Sequence, residues 1–143
     1  MSLKNKKTNN RISQNQAVQS KDDRIGFSFV YLTTNTDHNF LYFKKNKSEC
    51  YKVKAALYDR IEEITKEPWL YWYGQSKFNG IETIPAKEIK FKPSGYEFSD
   101  GDKVIVFRFN GDKGRIIGVK LDSSPFYYVI GFDFDYSAYN HGG

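Results

Sequence analysis

Apolar and polar positions along this chain change period several times, and each change marks an element. From Ile25, the run IGFSFVYL alternates Phe27, Phe29 and Tyr31 against Ser28 and Val30, the two-residue period of a strand. TTNTDHN is a turn cluster, and FLYF (Phe40–Phe43) reads as a second strand, so the pattern predicts an N-terminal hairpin. The period then lengthens. Cys50, Val53, Leu57, Ile61 and Ile64 recur at spacings of three and four, opposite Lys52, Lys54, Asp59, Glu62 and Glu63, which predicts an amphipathic helix. Ser48 supplies an N-cap hydroxyl and Glu49 an acid for the first turn. The helix is expected over Ser48–Lys66, because Pro68 disfavours helical geometry at Glu67. PWLYWYG fits a short second helix opened by Pro68 and stopped at Gly74. Residues 75–102 are weakly patterned, with extended pieces at IETI and EIKF between turn clusters.

Period two returns after Lys103. Ile105, Phe107 and Phe109 are expected on one face, with Val104, Val106 and Arg108 on the other. A turn at Asn110–Gly114 leads to RIIGVKL, where Ile117, Val119 and Leu121 share a side with Arg115. A second turn at Asp122–Pro125 leads to FYYVIGFDF. Strict alternation there puts Phe126, Tyr128, Ile130, Phe132 and Phe134 on one face, and Tyr127, Val129, Gly131 and Asp133 on the other. The expected architecture is α+β: an antiparallel sheet of about five strands, the N-terminal hairpin plus a C-terminal three-stranded meander, packed on one main helix.

Composition adds a boundary. Residues 1–24 are rich in Asn, Gln, Ser and Lys and nearly lack large apolar groups, so burial there cannot offset the entropy of ordering. They are expected to be a disordered basic leader, with residues 25–143 a single domain. The net charge of +5 also belongs mostly to the leader, which holds six basic and two acidic residues against 16 and 15 in the rest. The body is therefore close to neutral and is not a globally basic nucleic-acid surface. The lone Cys50 excludes an internal disulfide, the N-terminus lacks an apolar signal core, and no run reaches the ~18 apolar residues of a membrane span. These features predict a cytoplasmic protein with no membrane partner.

The chemistry is bounded mainly by exclusion. No phosphate-loop, dinucleotide or nucleophile-elbow motif occurs. One cysteine and two histidines cannot build the common zinc sites, and no metal or cofactor is expected. Cys50 on the apolar stripe reads as a packed thiol, and His38 as a solvated turn residue. Glu88-Ile89-Lys90 is an E-x-K triplet of the kind that serves metal-dependent nucleases on a strand, but it lacks an evident second carboxylate. Asp133, Asp135 and His141 form a carboxylate–histidine grouping in sequence, with solvation the plainer reading of the two acids.

The richest set is Arg108, Lys113, Arg115, Tyr136, Tyr139 and His141. Metal-independent RNA cleavage needs a base for the 2′-hydroxyl, a cation for the phosphorane and an acid for the leaving oxygen, and these residues include all three kinds. The plainer alternative pairs Arg115 with an acid across the hairpin and leaves Tyr139 and His141 frayed. Trp69, Tyr71, Trp72 and Tyr73 offer either a stacking platform or buried core.

The string R-I-I-G (Arg115–Gly118), F-Y-Y (Phe126–Tyr128), F-D (Phe132–Asp133) and Y-x-H (Tyr139–His141) resembles the C-terminal meander of a family of small bacterial and phage-borne proteins. Strand, helix and basic meander are also distantly similar to the RelE-type toxins, which cut messenger RNA. The resemblance implies a toxin-like protein of a mobile element, acting on RNA or the ribosome and held by an antitoxin. It implies Arg115 at the phosphate and Tyr139 or His141 as acid or base; Arg108 and Lys113, from the set above, are the binding candidates beside them. The rival expectation is a non-enzymatic module that grips a protein or nucleic-acid partner with the same face and with Trp69 and Trp72.

Overall fold

The computed structural model describes residues 24–48 and 50–141. Apart from Arg24, the predicted leader lies outside the described residues, as does the first-turn acid Glu49. In order, the chain forms β1 (Gly26–Ser28), α1 (Tyr42–Lys45), α2 (Cys50–Thr65), α3 (Trp69–Tyr73), β2 (Glu82–Pro85), a 3-10 turn (Ala86–Glu88), β3 (Lys103–Phe109), β4 (Gly114–Val119) and β5 (Phe126–Asp133). The sheet order is β1-β5-β4-β3-β2. Four strands run antiparallel as a continuous meander, while β1 lies parallel to β5, with Gly26 opposite Phe126 and Ser28 opposite Tyr128. The fold is α+β with a mixed, mainly antiparallel sheet. Among the described residues no helix is long and apolar enough to cross a membrane.

The expected N-terminal hairpin is not formed. Only three residues of IGFSFVYL enter the sheet, and FLYF runs into the single turn of α1. The physical reason lies in the partner each segment finds. β1 completes the free edge of β5, and the chain beyond it docks on β5 through Thr33 N–H to the Ile130 carbonyl (2.8 Å) and Phe132 N–H to the His38 carbonyl (2.9 Å). His38 is consequently buried, at 5% exposure, with Nδ1 2.8 Å from the Phe132 carbonyl oxygen and its ring stacked on Phe91 at 4.6 Å. The expectation of a solvated histidine is corrected by this docking.

α2 turns the predicted stripe inward: Leu57 and Ile64 are fully buried, with Val53 and Ile61 beside them. They pack on Ile105, Phe107, Phe109 and Ile116, and Trp69 and Trp72 from α3 complete that layer. Pro68, in extended geometry, caps α3, and Gly74 follows its last residue. The opposite face of the sheet is covered without a long helix. Ala86, Phe91, Ile89, Tyr96 and Phe98 from the weakly patterned stretch lie over Val104, Val106, Ile117, Val119 and Ile130, with Tyr139 from the tail. The weakly patterned stretch is therefore the second cover of a sheet buried on both sides.

Candidate functional site

The β3–β4–β5 register builds the site. Arg108 lies opposite Arg115, and Arg115 opposite Asp133, so the three share one row on one face. That row continues the apolar side bearing Val106 and Ile117. Asp133 joins it because of a β-bulge. The β4–β5 register shifts between Ile117 and Gly118, which pair with Gly131 and Val129 and leave Ile130 as the extra residue. Upstream of the bulge, Tyr127 and Val129 face α2 and Tyr128 and Ile130 face away; downstream, Phe132 takes the α2 side. Strict alternation along β5 is thus broken. Gly131 is required next to the bulge, since a Cβ there would stand 2.4 Å from the Phe91 ring.

Asp133 is fully buried and organises the tail. Its Oδ1 accepts the backbone N–H groups of Asp135 (3.2 Å) and Ser137 (3.0 Å), and its Oδ2 accepts that of Ala138 (3.3 Å). These bonds turn the chain back through Tyr136, which sits at φ 63°, and return His141 to the same carboxylate, Nε2 to Oδ2 at 2.8 Å. Tyr139 lies beneath, its ring stacked on His141 at 4.0 Å, and Tyr136 meets the His141 ring edge-on at 5.0 Å. Burial raises the Tyr139 hydroxyl above its ordinary range, and the neighbouring Arg115 guanidinium pulls it partly back. The solvated reading of Asp133 is corrected; Asp135 is the exposed acid of the two.

Arg108 and Arg115 converge on Asp112 in the β3–β4 turn. Arg108 Nη1 is 2.8 Å and Arg115 Nη2 3.2 Å from the same oxygen, Asp112 Oδ1. Arg115 Nη1 also donates to the Asp112 and Gly114 carbonyls (2.9 and 3.1 Å), and Tyr136 donates its hydroxyl to the Asp112 carbonyl at 2.7 Å. Arg108 further approaches Glu82 on β2, Nη2 to Oε1 at 3.6 Å. From α2, Arg60 Nε donates to the Arg108 carbonyl at 2.7 Å and fixes that end of β3. The result is an open cleft of about 480 Å³ lined by Arg108, Arg115, Tyr136, Tyr139 and His141, with Lys77, Glu82, Ile84, Asp112 and Asn140.

Of the residues singled out in the sequence, Arg108, Arg115, Tyr136, Tyr139 and His141 come together in this cleft. Lys113 stays exposed in the turn and does not line it. Trp69 and Trp72 are only 8% and 4% exposed, on the other side of the sheet, and spend their indole N–H groups on the Pro125 and Ile64 carbonyls. They offer no stacking face; Leu70, Tyr71 and Tyr73 are the exposed residues of α3. Glu88 and Lys90 are exposed, and Glu88 lies in the 3-10 turn, so the E-x-K triplet does not share a strand face. Among the described residues no three His, Cys, Asp or Glu side chains are grouped to hold a metal ion. Sequence reasoning missed Glu82, Asp112 and Arg60. Only Asp112 left a signal, lying four residues after one arginine and three before the other across a tight turn.

No protein-family model matches this chain, and comparison with curated proteins and with solved structures yields no match.

Proposed function

We propose that this cleft is the active site of a metal-independent endoribonuclease, and that the protein acts on RNA in a toxin-like manner. The observation that supports it is the His141–Asp133 pair, 2.8 Å apart, set in the same cleft as Arg115 and Tyr139. A buried carboxylate that accepts the Nε2 proton fixes the tautomer and leaves Nδ1 with its lone pair. Nδ1 then takes the proton of a ribose 2′-hydroxyl as that oxygen attacks the adjacent phosphorus. The bond from phosphorus to the 5′-oxygen breaks, giving a 2′,3′-cyclic phosphate and a free 5′-hydroxyl. Tyr139, kept protonated by burial, is the proton donor for the departing oxygen, and Arg115 offsets charge on the phosphorane.

The charge balance of the cleft favours a second reading, a binding pocket without turnover. Arg108 faces both Glu82 and Asp112, and Arg115 faces Asp112, so neither arginine is a surplus cation. Expression of the chain, with RNA integrity followed in a translation extract, separates the two. Cleavage that falls at least about a hundredfold in His141→Ala, in line with the loss of a general base, supports the enzyme. Intact RNA with harmless expression, together with a co-purifying partner lost in Arg115→Ala, supports the pocket.

A further inference from the structure

Two guanidinium groups directly opposite each other on neighbouring antiparallel strands repel. Arg108 and Arg115 are such a pair, and one of them is almost fully enclosed, with an Arg115 side chain only 5% exposed. Glu82 offsets one charge beside Arg108, and a single carboxylate oxygen, Asp112 Oδ1, accepts from both guanidiniums. Asp112 is unlike its partners. Its side chain is 56% exposed, and it stands on a turn entered through Asn110 at φ 54° and Gly111 at φ 65°. The arginines, in contrast, are held by other groups: Arg115 by the Gly114 carbonyl, and the Arg108 guanidinium beside Glu82 and over the Phe78 ring, on a strand end fixed by Arg60. Anchored donors thus face an exchangeable acceptor.

The donors are also incompletely used. Among the described residues, Nε of Arg108, Nε of Arg115 and Oε1 of Glu82 are buried without a hydrogen-bond partner, a costly state for groups of this kind. Each guanidinium can accept a bidentate oxyanion, the geometry in which arginine binds phosphate most strongly.

We propose that Arg108 and Arg115 form a binding site for one phosphate group, and that the Asp112 carboxylate occupies it as a built-in competitor. A phosphate displaces the Asp112 side chain, which swings outward while the Asp112 carbonyl keeps its bonds to Arg115 and Tyr136, and the two arginines exchange one shared oxygen for several. Glu82 remains beside Arg108, so the site suits a single phosphate and not a run of them. The site itself needs an oxyanion, not the cleavage chemistry proposed above, and its test is separable from that reading.

The test is titration of the full chain with inorganic phosphate, by calorimetry and by amide shifts. Removing the competitor in Asp112→Asn is expected to tighten phosphate binding roughly tenfold, the scale of a hydrogen bond to a charged group. Adding Arg115→Gln should abolish that gain. In the unaltered chain, phosphate should shift the amides of residues 110–113 saturably, a readout that stands even if a variant misfolds. Equal affinity in Asp112→Asn, a gain that survives Arg115→Gln, or turn amides that ignore phosphate would each overturn the proposal. RNA cleavage with no such gain sinks the competitor alone; a gain without cleavage sinks the nuclease alone.

Discussion

The two faces of the sheet are built by different rules. The α2 face is an apolar layer closed by regular elements, in which Leu57, Ile64, Trp72, Phe107 and Ile116 interlock. The opposite face is apolar at one end, over Val104, Val119 and Ile130, and ionic at the other, where Arg108, Arg115 and Asp133 lie in one row. Irregular chain covers the apolar end, and the tail folds back beside the ionic end. The difference teaches where specificity resides. The first face is chiefly a matter of volumes, its few indole and phenol donors each bonded to a carbonyl, whereas the second rests on ion pairing, because an unpaired buried charge costs several kcal/mol.

The widest separation between the faces should appear in stability. Phe107→Ala, which opens a cavity in the α2 layer, is expected to cost about 3–5 kcal/mol in urea unfolding, while the phosphate response of the cleft survives in the fraction that folds. If the cleft response disappears first, the faces are not independent layers. Next in size is Asp133→Ala, which strands three backbone N–H groups and His141 at a cost of about 2 kcal/mol. Its effect should be local: hydrogen exchange quickens over residues 135–141 and stays slow in α2. Uniform acceleration would show that Asp133 supports the whole sheet and not the tail.

The smallest effect concerns a buried hydroxyl on the α2 face. Tyr127 is fully buried and donates to the Ile105 carbonyl at 2.6 Å, and burial holds its hydroxyl well above its ordinary value near 10. Because the unfolded chain loses this proton first, the contribution is complete below pH ~10 and declines as pH rises towards the folded value. Unfolding measured from pH 8 to 11 should therefore show an alkaline loss of stability that is shallower in Tyr127→Phe. Identical slopes would remove Tyr127 from that limb. The variant itself should cost about 1 kcal/mol at neutral pH, from the lost hydrogen bond.

Much of this was legible in the chain and some was not, for reasons that particular residues make plain. Periods of two and three-to-four are set by backbone geometry, so the three meander strands, the α2 stripe and the Pro68–Gly74 helix could be read directly. Parity within each strand also grouped Arg108 with Val106 and Arg115 with Ile117, but that the two arginines stand opposite each other came from the β3–β4 register. FLYF misled because a short apolar run fits a strand or a helical turn equally well. Residues 75–102 resisted because packing against a sheet by Phe91, Tyr96 and Phe98 needs no periodicity.

By itself, then, the sequence determined the strongly periodic elements and the alternation of faces within the first two meander strands, since these depend on neighbours a few residues away. The folded arrangement settled the rest. It put β1 on the free edge of β5, because an unpaired edge accepts whichever strand reaches it. It turned Asp133 inward, because the bulge shifted parity where alternation alone would have carried on. It gave Asp112 to both arginines, because that depends on how a turn sits above a row of side chains. Those are long-range choices among partners, and no local pattern encodes them.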